Sequence, residues 1–147
     1  MELKGKCKLK LVVLILFLLL TVGCEDTTKW KYLLPNDYEI KRVNNTTVIL
    51  GKKVNNETTT VIDGVTVGVE EYVSKFSYSD NYIAVMCLIP IDNNIDIKYY
   101  IIDSKNNNRY GPYPDEETFN KVKDKLVSEK LGEWIDTIEK PKDAVLN

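Results

Sequence analysis

From Tyr38 to Asp103 the chain is a series of short apolar or β-branched runs cut apart by Asn, Asp and Gly. That punctuation confines the region to β-strands joined by tight turns. Tyr38-Glu39-Ile40-Lys41-Arg42-Val43 alternates apolar and charged residues at period 2, as a half-buried strand does. Asn44-Asn45 reads as a turn, with Thr47 to Leu50 as the returning strand. Gly51 to Thr58 is polar and is expected to loop out. A second hairpin is expected from Thr59 to Ile62 and Val65 to Val69, around Asp63-Gly64, and a third from Val73 to Tyr78 and Tyr82 to Ile89, around Ser79-Asp80-Asn81. Tyr82 to Ile89 is apolar at successive positions, which predicts a central strand covered on both faces. Pro90 and Asp92-Asn93-Asn94 close it, and Ile97 to Ile102 forms the next strand, ending at Asp103 and a Lys105–Asn108 turn.

The period then changes. Asp115 follows Pro114 as an N-cap, and Glu116 and Glu117 fall in the first turn, where they complement the helix dipole. Phe119, Val122, Leu126, Val127 and Leu131 lie on one face at helical spacing, with Gly132 as the expected stop. Trp134, Ile135 and Ile138 are expected to pack as a final short segment. The reading is an α+β fold, mostly β: a meandering antiparallel sheet packed against one C-terminal amphipathic helix, after an N-terminal signal segment.

That segment has its own logic. Lys4, Lys6, Lys8 and Lys10 precede an uncharged apolar run from Leu11 to Val22, then Gly23 and Cys24. A basic start, an apolar core of roughly 7–15 residues and a small residue before the cut describe a secretory signal. The run falls short of the about 20 residues a spanning helix needs. A cysteine directly after the small residue points to a lipoprotein: the Cys24 thiol takes a diacylglycerol and cleavage follows Gly23. Thr21 stands where leucine is more usual, three residues before the cysteine. Release as a soluble protein, retention as an uncleaved anchor, and an incidental Cys24 are the rival readings. The expected organisation is a signal peptide over 1–23, the lipidated cysteine and a short tether over 24–34, and a single β-rich domain over 35–147.

Composition narrows the function. From Cys24 onward 124 residues remain, one domain by size, with 16 Lys and Arg against 21 Asp and Glu. A mildly acidic surface of this kind gives nucleic acid no favourable field, and no nucleic-acid partner is expected. There is no histidine, which removes the usual general base and the commonest metal ligand. With Cys7 in the signal and Cys24 acylated, Cys87 has no second thiol to form an intrachain disulfide.

Each candidate site has a plainer reading beside it. Cys87 sits in an apolar strand, which suits packing better than nucleophilic chemistry. Asp92-Asn93-Asn94-Ile95-Asp96 resembles a calcium loop but lacks the glycine and closing glutamate. Asp103 and Glu70-Glu71 are the places to look for paired carboxylates. Tyr99-Tyr100, Tyr110-Gly111-Pro112-Tyr113 and Trp134 suit an interface or a sugar platform as well as a core. No catalytic residue, cofactor or metal ligand is assigned; Cys24 is the one site residue, for lipidation.

Four blocks carry a family resemblance: Tyr38-Glu39-Ile40, Asp80-Asn81-Tyr82-Ile83-Ala84, Tyr99-Tyr100-Ile101-Ile102-Asp103, and Tyr110-Gly111-Pro112 with Phe119. Through them the chain resembles small uncharacterised lipoproteins of low-GC Gram-positive bacteria, defined as a domain of unknown function. The stretch Gly51 to Thr58 and the tail after Gly132 match less well. The resemblance implies an exported, lipid-anchored β-rich domain and brings no catalytic residues. Within those blocks, Asp103 is expected to accept backbone N–H groups in the turn it opens, Gly111-Pro112 to redirect the chain from sheet to helix, and Phe119 to anchor the helix. The functional expectation is a non-enzymatic binding domain for a protein or envelope partner, held on the extracytoplasmic face of the membrane by a diacylglycerol anchor. The alternatives are an envelope lipoprotein with a structural or stress role and, further off, a carboxylate-based hydrolase.

Overall fold

The computed structural model describes residues 29–62 and 72–146. The signal segment, Cys24, the Asp63-Gly64 hairpin and Glu70-Glu71 lie outside the described residues. The first sheet contains β1 (Trp30–Leu33), β2 (Tyr38–Arg42), β3 (Val48–Val54) and β4 (Glu57–Ile62). The second contains β5 (Tyr72–Tyr78), β6 (Tyr82–Ile91), β7 (Asn94–Asp103) and β8 (Asn108–Tyr113). The helix α1 (Glu116–Leu126) follows, and the chain then returns through β9 (Ile135–Asp136) to the second sheet and β10 (Val145–Leu146) to the first. The strand orders are β10-β1-β2-β3-β4 and β8-β7-β6-β5-β9, with every pairing antiparallel.

Among the described residues the fold is mostly β with one α-helix, as the periodicity predicts, but the strands divide into two sheets where one meander was expected. Alternation explains the split. Tyr32, Ile40, Leu50 and Ile62 are cross-strand neighbours on one face of the first sheet. They meet Phe76, Ile83, Val85, Tyr100 and Ile102 from the second sheet in a shared core. The opposite face of the second sheet carries Ala84, Tyr99 and Ile101, and α1 covers them with Phe119. β6 and β7 therefore need apolar residues on both faces, and β6 lies inside its sheet as its composition requires.

Four local expectations are corrected. Trp30–Leu33, assigned to the tether, is strand β1, and Trp30 is buried in the core. Gly51 to Thr58, expected to loop out, is the β3–β4 hairpin, because Asn55 and Asn56 both take positive φ (52° and 66°) and so suit a two-residue turn. Gly111-Pro112 lies within β8, and the chain turns toward the helix only at Pro114-Asp115. Gly132 does not stop the helix, which ends at Leu126 when Val127 turns extended. Its N–H instead donates to the Tyr78 carbonyl (3.0 Å), and its own carbonyl accepts from Ser77 Oγ (2.7 Å).

The two sheets are stitched at both ends. At one, Arg42 donates to the Tyr72 hydroxyl (3.2 Å) and to the carbonyls of Thr137 (3.2 Å) and Ile138 (3.0 Å). At the other, Asn36 Nδ2 donates to the Asp80 carbonyl (2.9 Å) and Ser104 Oγ (2.8 Å). Between them Tyr32 and Tyr78 share a hydroxyl–hydroxyl bond of 3.0 Å, and burial, with that bond second, pushes the Tyr32 phenol up to about 12. Thr137 serves the bulge in β5. It is fully buried, and its hydroxyl donates toward the carbonyls of Val73 (2.6 Å) and Ser74 (3.0 Å), which the bulge turns out of the ladder.

Candidate functional site

The outer face of the second sheet is covered in part only. α1 starts where predicted: Asp115 accepts from the Thr118 N–H at 2.7 Å, and that bond holds its carboxyl below the usual range. One turn on, Phe119 is 2% exposed and lies 5.2 Å from the Tyr99 ring and 6.0 Å from the Trp134 ring. Trp134 keeps 42% of its surface exposed. Its position is set by its neighbours, since Gly132 is bonded to Tyr78 and Ser77, and Ile135 pairs with Phe76.

Trp134 is a wall shared by two hollows. The smaller, of about 150 Å³, is lined by Lys75, Met86, Tyr99, Glu116 and Trp134. The larger, of about 290 Å³, lies between α1 and the strap that follows it, with Phe119, Lys123, Leu131 and Trp134 among its lining. Cross-strand pairing builds the floor of the smaller one: Lys75 lies opposite Met86, and Met86 opposite Tyr99, all on the face away from the main core. Burial, and after it the charges of Glu116 and Asp115, push the Tyr99 phenol up, so its hydroxyl stays a neutral donor. The result is an aromatic shelf with a cation and an anion on its rim. That equipment suits recognition of a ligand with an apolar or ring face and polar edges.

Glu129, a carboxylate on the larger hollow, is already engaged. It accepts from the Asn81 backbone N–H (3.2 Å) and from the Asn81 side-chain amide, which holds its carboxyl below the usual range. It is ionised and fixed, which suits it to holding the strap and not to donating a proton.

The sequence candidates divide clearly. Cys24 and Glu70-Glu71 are outside the described residues. Cys87 is fully buried in the shared core. Asp92-Asn93 is the β6–β7 turn and Asn94 to Asp96 open β7, with Asp96 bonded to Lys98 at 2.7 Å. Asp103 accepts from Asn106 N (2.9 Å) and Nδ2 (2.8 Å), which holds its carboxyl below the usual range and closes the turn as expected. Tyr99, Tyr110, Tyr113 and Trp134 do come together around Phe119, whereas Tyr100 points to the opposite face, into the main core. Among the described residues no three Cys, Asp or Glu side chains converge in a metal-binding arrangement. Lys75 and Met86 were not singled out from sequence, and Glu116 was read only as a first-turn helix residue. The signal for the first two is their shared outer-face register, which appears only once the bulge in β5 is known.

No family model, no curated protein and no solved structure matches this chain.

Proposed function

We propose that this chain is a lipid-anchored, extracytoplasmic binding domain that recognises an envelope component or protein partner and catalyses no reaction. The observation that carries the proposal is the order of residues Lys4–Lys10, Leu11–Val22, Gly23 and Cys24, which suits export followed by diacylglycerol transfer to Cys24. Two acyl chains give stable anchoring where one gives only marginal binding. The resemblance to small Gram-positive lipoproteins belongs to the same proposal. The hollows beside Trp134 support the binding part, because the residues that line them offer ring faces and opposite charges.

Two measurements test it. Cys24→Ala should abolish fatty-acid labelling and leave the precursor unprocessed; a mutant labelled and cut like the wild type would refute the anchor. Photo-cross-linking from position 134 in intact cells should capture one envelope component, lost when Lys75 and Glu116 are both changed to Ala. Equal capture from position 134 and from an exposed position on the first sheet would refute the site.

A further inference from the structure

Exposed apolar side chains gather at one end of the sandwich. Trp30 opens β1 there, paired with Arg42 and Leu146. Val43 follows directly after β2, and Ile138 offers its carbonyl to Arg42. The second sheet reaches the same end, because Arg42 also bonds Tyr72, and Tyr72 lies opposite Leu88. From Leu88 the β6–β7 hairpin runs on to Ile91 and Asn94, about 10 Å beyond the start of β5 at roughly 3.4 Å per residue. Ile95 and Ile138 are each 66% exposed, and Leu146 and Ile91 are close to half exposed. These residues come from both sheets and from the C-terminal return, so no one element's packing accounts for their convergence.

The length of chain between Cys24 and the fold says what covers them. Five residues lie between Cys24 and Trp30, so the two are at most about 20 Å apart at full extension. An acyl group on Cys24 would hold this end, and not the Leu33–Val54 end, against the bilayer. We propose that the chain-entry end of the sandwich rests on the lipid surface, with Ile91, Ile95, Ile138 and Leu146 in contact with the headgroup and upper acyl region. The inference rests on the Cys24 anchor proposed above. Lys31 and Lys41 are adjacent across β1 and β2, but Asp96 next to Ile95 and Asp136 and Glu139 beside Ile138 offset them, so apolar contact carries the docking. The polar Asp92-Asn93 turn limits the hairpin to interfacial depth. Docked in this way, the domain points the Trp134 shelf sideways, parallel to the membrane plane, and leaves it open.

The experiment uses the full-length chain, lipidated in cells and reconstituted in phosphatidylglycerol–phosphatidylcholine vesicles. Ile95→Cys and Ile138→Cys carry an environment-sensitive fluorophore, with Leu33→Cys as the control. Leu33 is equally apolar and 57% exposed, but at the opposite end. Cys87 is buried and shielded from the label. Spin-labelled lipid should quench positions 95 and 138 at least threefold more than position 33, and Ile91→Asp should reduce quenching at 138. Mass spectrometry of the same sample reports whether Cys24 carries lipid. Lipid on Cys24 with equal quenching at 95 and 33 overturns the docking and leaves the anchor standing. A fluorophore at 95 shielded from lipid, with energy transfer between copies, overturns it in favour of a second copy. An unmodified Cys24 overturns both readings, since the tether argument goes with it.

Discussion

Phe119→Ala tests whether one side chain docks the helix. Phe119 is the buried residue of α1, and it touches the sheet through Tyr99 and the strap through Trp134. Truncating a buried Phe costs about 3–5 kcal/mol. The lower end applies here, because Val122, Leu126 and Trp134 are only partly buried around it and can relax inward. A loss of about 3 kcal/mol lowers the melting temperature by roughly 10–15 °C in a domain of this size. It moves a urea midpoint down by about 1.5–2 M for slopes near 1.5–2 kcal/mol/M. The two tryptophans report different places: Trp30 is buried in the core between the sheets, and Trp134 stands over Phe119. β6 and β7 supply residues to both clusters, so both probes should follow one transition. Trp134→Phe isolates the Trp30 signal. A loss under about 0.5 kcal/mol would refute the anchoring role, since that is the size of an ordinary surface substitution. A two-step transition with Trp30 unaffected would refute the coupling through β6 and β7.

Gly111→Ala should destabilise by about 1–3 kcal/mol, because Gly111 has φ +111° and an added Cβ would lie 2.7 Å from the Tyr99 carbonyl; urea denaturation against a Gly132→Ala control checks it. The raised phenol of Tyr32 contributes stability that is complete below about pH 10 and is lost as the pH rises toward about 12, so Tyr32→Phe should lose less stability across that window than the wild type, as pH-dependent urea denaturation checks. Asp103 has its carboxyl lowered by the Asn106 amide, so its contribution is present above the usual carboxylate range and disappears as acid protonates it; Asp103→Asn should flatten that part of the acid limb. Glu39 is 2% exposed, with one oxygen bonded to Thr58 at 2.7 Å and the other without a partner. Replacing the pair by Glu39→Met with Thr58→Val should leave stability equal or higher in the same denaturation assay.

The legible parts of the fold were those set by local chemistry. Asp115 caps the helix because its side chain reaches the Thr118 N–H, and Asp103 closes its turn through Asn106. Ser79-Asp80-Asn81 turns the chain between β5 and β6. The errors came where a distant partner decides the state. Trp30-Lys31-Tyr32-Leu33 looks like the end of a polar tether until Arg42 to Glu39 on one side and Leu146 on the other supply its ladder. Glu39 reads as the outward residue of an alternating strand, yet it is buried. Gly51 opposite it has no side chain, and that lets Thr58 close over the carboxylate; a Cβ there would come within 2.5 Å of Thr58 Cγ2.

The candidate site was half legible for the same reason. The aromatic residues were visible as a composition, but whether they share a face depends on register. Tyr99 and Tyr100 are neighbours in sequence and lie on opposite faces of β7. The bulge between Val73 and Lys75 then decides which of the β5 side chains joins Met86 and Tyr99. Thr137 pins that bulge from 63 and 64 residues away. The same C-terminal return that carries Thr137 also carries Trp134, the wall of both hollows, and Ile138, part of the apolar end. A change at Thr137 should therefore alter ligand contact at Lys75 and the proposed lipid contact at Ile138 together, whereas Phe119→Ala should reach Tyr99 and Trp134 and leave Ile138 unchanged. That contrast separates a site built by the sheet from one built by the helix.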